Sequence, residues 1–356
     1  MRNLFAAVFG LLFLFGPSLQ AGDDRALEDA LEDLGAKRYE EAAEKLESIR
    51  NDLESSAPRS PRLAEVLFYE AEAHYLAGEK YRAHLLYREI LDNHKSYSRL
   101  AEAISREYEI GTAFIEGKAE KPFLKIFRTK SRSLGVEILS YLIENFEEKY
   151  FDYAQYLIAD YFFKDGDWRR ASDAYLRIEE DFPGSVWVPV AKFQRAVCNL
   201  KQFRGYRYDD TAARRAEEIL TDYARKYKHG DRIEDAEALL AGIREDRAKL
   251  YLENAHFYSF RERRPRAALV YLEAIVREAG DSPAAKEAPR LLAKIAAAEE
   301  ADPATASRAR ELAAEIERRR SISKPAEPAA AAAAPAEASG PPETQKAGAA
   351  GPGGKN

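Results

Sequence analysis

The sequence predicts an all-α chain, built as an α-solenoid of about five to six helix pairs. Three observations predict it. Residues 22 to about 320 are dominated by Ala, Leu, Glu, Lys and Arg, with apolar residues recurring at intervals of three and four. No long run alternates with the period of two that a strand requires. Small residues and aromatics also return in the same order several times, the mark of stacked repeats. Composition agrees with an ordered chain: 46% of the 356 residues are hydrophobic, 11% aromatic and 33% charged, with a net charge of -6. A disordered chain would carry fewer large apolar residues, and a dedicated nucleic-acid binder would normally be basic. The one cysteine, Cys198, excludes an intrachain disulfide, a CxxC redox pair and a cysteine-based zinc cage.

Taken in order, residues 1–21 read as an export signal. Arg2 supplies the positive start, Leu4 to Phe15 is apolar, Gly16-Pro17-Ser18 breaks the helix, and Ala21 offers a small residue at the cut. The apolar run is shorter than the ~20 residues that span a bilayer. An uncleaved membrane-tethering helix is the alternative reading. An exported, soluble mature chain starting near Gly22 is the expectation.

Residues 22–300 form the repeat domain. The clearest unit is Ala154 to Pro183: Ile158, Ala159 and Phe162, then Gly166-Asp167-Trp168, Ala171, Tyr175, Ile178 and Phe182-Pro183. This is the tetratricopeptide pattern, and each position has a steric reason. Ala159 and Ala171 let paired helices approach, Gly166 makes the turn, Tyr175 and Ile178 fill the gap to the next pair, and Pro183 stops the second helix. Weaker copies run through Leu34, Ala42, Leu46 and Ile49, and through Ala71, Gly78, Ala83, Tyr87 and Ile90. Another joins Ile110, Gly111 and Phe114 to a second helix from Val136 to Phe146. Two more run through Ala196, Leu200, Ala216, Leu220 and Tyr223, and through Ala255, Tyr258, Ala267, Tyr271 and Ile275.

Ser282-Pro283 and Asp302-Pro303 each place a capping residue before a proline suited to a first helical turn. The second opens a C-terminal helix over 301–320. From 321 to 356 the composition turns to Pro, Ala and Gly, which favours an extended, solvated tail.

Phe182-Pro183-Gly184-Ser185 with Ala191, Asp210-Thr211 before a long helix, and Ala255-His256-Phe257-Tyr258 continuing to Ala267-Ala268, Tyr271, Ile275-Val276, Ser282-Pro283 and Glu287-Ala288 carry a resemblance. Over roughly 24–300 the chain resembles the BamD (ComL-type) family, the helical-repeat component of the machinery that assembles outer-membrane β-barrel proteins. The resemblance implies a non-catalytic scaffold in the periplasm, associated with the outer membrane at its periphery. Its N-terminal pairs would engage unfolded barrel precursors, and its pairs around Tyr258 to Ala288 would dock the central β-barrel assembly protein. The family's lipid-bearing cysteine is missing: Ala21 is followed by Gly22.

The residues themselves offer little catalytic chemistry. His74 and His84, with Glu70 or Glu72, are a conceivable metal pair across one helix pair, but no HExxH-like spacing supports it, and interhelix hydrogen bonding is the plainer reading. Cys198 lies within a repeat helix and reads as a buried structural thiol. No glycine loop cradles a phosphate. No cofactor, metal or nucleic-acid partner is expected.

Two binding features stand out. Leu27, Phe68, Tyr108, Tyr156 and Phe193 share one first-helix position, and Leu34, Tyr75, Ile115, Phe163 and Leu200, seven residues on, share another. In a tetratricopeptide stack these face the concave side, where they would hold an extended or helical peptide. Burial between pairs is the competing reading. The second feature is a basic insertion over 118–133, with Lys118, Lys121, Lys125, Arg128, Lys130 and Arg132 interleaved with Phe123, Leu124, Ile126 and Phe127. It suits an anionic membrane surface or an acidic protein face, and a solvated insertion packing its aromatics on the next pair is equally consistent. Alternative functions are a periplasmic adaptor of the Tol-Pal or cell-division type and, from a different class, a metal-binding or enzyme-accessory protein.

Overall fold

The computed structural model describes residues 20–58, 60–118, 128–298 and 302–322. Residues 1–19 of the expected export signal, most of the expected basic insertion and the tail from residue 323 lie outside these residues. Among them every regular element is a helix and none is a strand. The chain divides into two compact units, 1–243 and 244–356.

The first unit is a run of helix pairs: α1 (Gln20–Gly35) with α2 (Tyr39–Ser56), α3 (Pro61–Ala77) with α4 (Lys80–Asn93), α5 (Leu100–Ile115) with α6 (Arg128–Asn145), α7 (Phe151–Asp165) with α8 (Trp168–Asp181), and α9 (Val188–Gln202) with α10 (Thr211–Lys226). It closes on the first part of α11 (Ile233–His256). Each helix packs on the ones before and after it, and first helices also meet directly, α1 on α3 and α5 on α7.

Small residues set this packing. Ala30 and Ala42, Ala71 and Ala83, and Ala159 and Ala171 lie twelve residues apart, one on each helix of a pair, and all are 0% exposed. In the third pair the two positions are Gly111 and Gly135, twelve residues further apart than the alanine pairs. A Cβ on Gly135 would stand 2.4 Å from the Ile115 nitrogen and 2.7 Å from the Gly111 carbonyl oxygen, so only glycine fits this crossing. Four and seven residues after each second-helix small residue come the side chains that fill the layer. These are Leu46 and Ile49, Tyr87 and Ile90, Leu139 and Leu142, Tyr175 and Ile178, and Leu220 and Tyr223, all buried. The fold is a tetratricopeptide-like α-solenoid.

The turns follow the same logic. Gly78 (φ 88°) and Gly166 (φ 80°) adopt the left-handed conformation that ends a first helix, with the Gly78 N–H returning to Tyr75 and the Gly166 N–H to Phe163. Lys37 takes that conformation in the first pair at φ 64°. Ser60 caps α3 by accepting from the Arg62 N–H, with Pro61 in the first turn.

The third pair differs from the sequence expectation. Its second helix starts at Arg128 rather than Val136, so the last part of the expected 118–133 insertion is helical. The stretch from Arg128 to Val136 contains no proline, and Gly135 is held by packing against α5, so nothing interrupts the helix.

A polar row is buried between pairs. Four residues before the small residue of α3, α5, α7 and α9 stand Leu67, Glu107, Gln155 and Lys192. Glu107 faces His84 Nδ1 at 2.5 Å, Gln155 donates to the Ala174 carbonyl at 2.9 Å, and Lys192 bridges Glu179 (3.1 Å) and Asp222 (2.5 Å). Glu107 with His84 and Lys192 with Glu179 tie one pair to the next, while Gln155 with Ala174 and Lys192 with Asp222 join the two helices within a pair.

The second unit comprises the rest of α11, a π-helical turn at Phe257–Arg261, α12 (Pro265–Ala279), a 3₁₀ turn at Ala284–Lys286, α13 (Ala288–Ala296) and α14 (Pro303–Ile322). Its core gathers Leu252, Leu272, Ile275, Leu292, Leu312 and Ile316. Here the sequence register needs correction by one residue. Ala268 and Leu272 are 0% exposed and fill the repeat positions, whereas Ala267 and Tyr271 are only partly buried. Ala255 and Ala268 are thirteen residues apart, and the additional residue is absorbed in the π turn. Asp302 caps α14 by accepting from the Thr305 N–H at 2.9 Å, while Ser282 caps only the 3₁₀ turn through Ala285.

Candidate functional site

The first helices of the N-terminal unit carry the candidate face. The aromatic residue three positions before each small residue does not lie open on it. It is covered by the residue immediately preceding the next first helix. The Arg99 guanidinium lies 4.0 Å over the Phe68 ring, Tyr150 meets Tyr108 edge-on at 4.7 Å, Trp187 stacks on Tyr156 at 4.3 Å, and Arg232 lies 5.5 Å over Phe193. These stacks weld consecutive pairs together. Phe68 is 1% exposed and Phe193 6%. Leu27, which has no ring, is buried in the same layer, and so is Ile115. The expectation of an open stripe is therefore corrected for Leu27, Phe68, Ile115 and Phe193, which are core side chains, and narrowed for Tyr108 and Tyr156, which are half-buried beneath their covers.

The turn after α8 shows how a cover is positioned. Phe182 accepts from the Ser185 N–H, and the Ser185 hydroxyl donates to Asp152 at 2.6 Å while accepting from the Trp187 N–H at 3.0 Å. Pro183-Gly184-Ser185 thereby swings the indole back onto α7.

What stays accessible lies between the covers. Tyr75 and Phe163 are partly exposed, and Leu76 beside Tyr75 is 44% exposed. Tyr153, three residues before Tyr156 on the same helix face, is partly exposed and lies 6.3 Å from Tyr156 and 5.2 Å from Trp187. Its spacing on the helix is the signal that would have added it to the candidates. Phe163 meets Trp168 edge-on at 5.2 Å.

Hydrogen bonding fixes the orientation of this face. The Tyr75 hydroxyl donates to Glu109 at 2.7 Å, and Arg106 lies 4.7 Å over the Tyr75 ring while donating to Glu72 at 2.7 Å and to Glu109 at 3.0 Å. Burial pushes the phenols of Tyr75, Tyr108 and Tyr156 up to about 12, so all three remain neutral donors at ordinary pH. The carboxylates are matched locally: Glu72 and Glu109 by Arg106, Glu116 by Lys118 at 2.7 Å, and Asp160 by Lys164 at 2.7 Å. One Arg106 serves two carboxylates and Asp152 is held by the Ser185 hydroxyl, so the face is aromatic and polar with a modest acidic excess.

Of the basic insertion, Lys118 is exposed and paired with Glu116, and Arg132 is exposed beside Gly117. Lys121 and Lys125 lie outside the described residues, as do the side chains of Arg128 and Lys130.

The conceivable histidine pair is not assembled. His74 Nδ1 lies 2.7 Å from Glu79 Oε2, whereas His84 turns to Glu107. Glu70 pairs with Arg50 at 2.8 Å, and Glu72 accepts from Tyr87 and Arg106. Among the described residues no group of three or more His, Cys, Asp or Glu side chains is placed to hold a metal ion. Cys198 is 0% exposed, and burial pushes its thiol up to about 12, which leaves it a protonated core residue.

No protein-family model and no curated protein matches the chain. Among solved structures, the human IFIT1 dimer with m7Gppp-AAAA is 15% identical, covering 83% of this chain and 81% of that one at a TM-score of 0.25. The same human dimer with PPP-AAAA is 14% identical, with coverage of 86% and 88% and a TM-score of 0.22. At such identities and scores nothing about ligand or partner transfers.

Proposed function

We propose that the chain is a non-catalytic repeat scaffold whose N-terminal unit binds extended polypeptide along the face bearing Tyr75, Leu76, Tyr153 and Phe163. The observation that carries this reading is the continuity of partly exposed, neutral aromatic side chains from α3 to α7, on helices locked together by the covering residues. Rigid aromatics provide contact area at low entropic cost, and the phenols add hydrogen bonding to a peptide backbone. Recognition rests chiefly on apolar contact and hydrogen bonds, since Arg106, Lys118 and Lys164 offset most of the carboxylates here.

The finer reading follows from the sequence resemblance to the BamD family. The polypeptides bound would be unfolded outer-membrane β-barrel precursors, and the second unit, around Tyr258 to Ala288, would dock the β-barrel assembly protein in the periplasm. A pull-down of the tagged protein from solubilised envelope tests it. Recovery of the assembly protein supports this reading. Recovery of Tol-Pal or cell-wall proteins in its place would leave the polypeptide-binding scaffold standing and remove the assembly role.

A further inference from the structure

The second unit carries a surface that the scaffold reading does not use. At the end of α11 the helix widens into the π turn Phe257–Arg261, required by the one additional residue between Ala255 and Ala268. Turns of this kind are rare, occur mostly as single-turn bulges within α-helices, and are frequent at functional sites. Inside the turn, Tyr258 stacks on Tyr271 at 5.5 Å and 11°, with Tyr251 6.3 Å from the same ring. Outside it, Phe257 is 42% exposed and Phe260 52%. Two phenylalanines on one turn are thus held in solvent by a firmly seated backbone.

The charge around them is distinctive. Arg261 and Arg264 are exposed, and among the described residues neither has a carboxylate partner. Lys294, on α13, places its ammonium 5.6 Å from the Phe260 ring, and Arg290 stands one helical turn before it; both are exposed, and neither has an acidic partner among the described residues. His256 stacks on Phe260 at 5.8 Å. The turn itself holds no carboxylate, and Glu262 follows it directly. Other arginines of this unit are neutralised: Arg266 by Asp302, Arg277 by Glu278, Arg308 by Glu273 and Arg319 by Glu315. Arg261, Arg264, Arg290 and Lys294, all exposed and without a carboxylate partner among the described residues, thus lie on the turn, just after it, or on α13, whose Lys294 faces the Phe260 ring.

We propose that this turn is a membrane-surface anchor, in which Phe257 and Phe260 enter the interface of an anionic bilayer while Arg261, Arg264, Arg290 and Lys294 engage the headgroups. Aromatic side chains flanked by basic ones suit the boundary between acyl chains and phosphates, and long cationic side chains reach headgroups while their stems stay in the apolar layer. Basic residues near an anionic surface add attraction one by one, so this cluster together with two rings suffices for reversible attachment. An acidic polypeptide would satisfy the cations but would leave two projecting rings without a pocket.

The test is co-sedimentation of the full chain, lacking residues 1–21, with vesicles of phosphatidylglycerol and phosphatidylcholine, against vesicles of phosphatidylcholine alone. The wild type partitions onto the anionic vesicles and not the neutral ones. Phe257→Ser with Phe260→Ser, and separately Arg261→Gln with Arg264→Gln, each lower partitioning by about tenfold or more. Both pairs are exposed, so thermal melts should match the wild type. Neutralising Lys118, Lys121, Lys125 and Arg132 serves as the comparison, because that basic segment also favours anionic surfaces. Retained binding in both turn variants, loss only in the insertion variant, equal binding to neutral vesicles, or no binding at all would each overturn the proposal. Binding that survives loss of the rings and is displaced by polyglutamate would assign the turn to an acidic polypeptide and also overturn it. None of these outcomes touches the aromatic face of the other unit.

Discussion

Trp187 lies on Tyr156 in the place that Arg99 takes over Phe68: a ring stack at 4.3 Å in one case, a guanidinium 4.0 Å above a ring in the other. Both covering residues immediately precede a first helix. The cover is conserved by position in the fold and not by chemistry, and it makes Tyr156 a joint between two pairs. Tyr156→Ala should therefore cost ~3 kcal/mol of unfolding free energy, the scale of a large aromatic truncation, while Tyr156→Phe keeps the stack and stays within about 0.5 kcal/mol. Urea denaturation of the two variants checks this. A stable alanine variant would mean that the stack joins nothing.

Tyr87 and Tyr175 occupy one repeat position, are both 0% exposed, and differ in a single hydrogen bond. The Tyr87 hydroxyl donates to Glu72, whereas the Tyr175 hydroxyl is buried without a partner among the described residues. Removing a paired hydroxyl costs about 1 kcal/mol, and removing an unpaired buried one relieves a desolvation penalty of similar size. Tyr87→Phe should thus lower the Tm and Tyr175→Phe should hold or raise it. Differential scanning calorimetry of the two variants would contradict the account if both fell equally.

Glu70 supplies a pH dependence. Burial pushes its carboxyl up to about 7, against the pull of Arg50 beside it, with Glu47 and Glu54 adding to the rise. A folded value above the unfolded one means that its favourable contribution is complete below about pH 4.5. It is then lost as pH rises through about 7, by on the order of 3 kcal/mol. Glu70→Gln should flatten the fall in stability between pH 5 and pH 8. Urea midpoints for wild type and variant that run parallel across this range would show that Glu70 titrates normally.

The repeat architecture was legible because steric necessity leaves fixed spacings. Ala159, Gly166, Ala171 and Tyr175 can be read directly, and Ala71 with Ala83 repeats the interval. The third pair was harder to place, since Gly135 performs the close crossing twelve residues later than the pattern expects. The one-residue shift at Ala268 left no trace in composition, since a π turn absorbs an additional residue without breaking the helix. The burial of Phe68 and Phe193 was not legible either. It depends on Arg99 and Arg232, which share with Tyr150 and Trp187 a place in the fold but no residue type. Tyr153 lies at neither of the two repeated first-helix positions, although its i,i+3 relation to Tyr156 puts both on one face.

The central claim is that the accessible aromatics of the first helices bind polypeptide. The most direct measurement is fluorescence titration of a urea-unfolded outer-membrane β-barrel precursor, diluted into the protein, comparing wild type with Tyr75→Ala, Leu76→Ser and Tyr153→Ala combined. The account predicts at least about tenfold weaker binding in the variant, the equivalent of ~1.4 kcal/mol. It also predicts little change in affinity between low and physiological salt, and a circular dichroism spectrum like that of the wild type. Equal affinity in variant and wild type would contradict it.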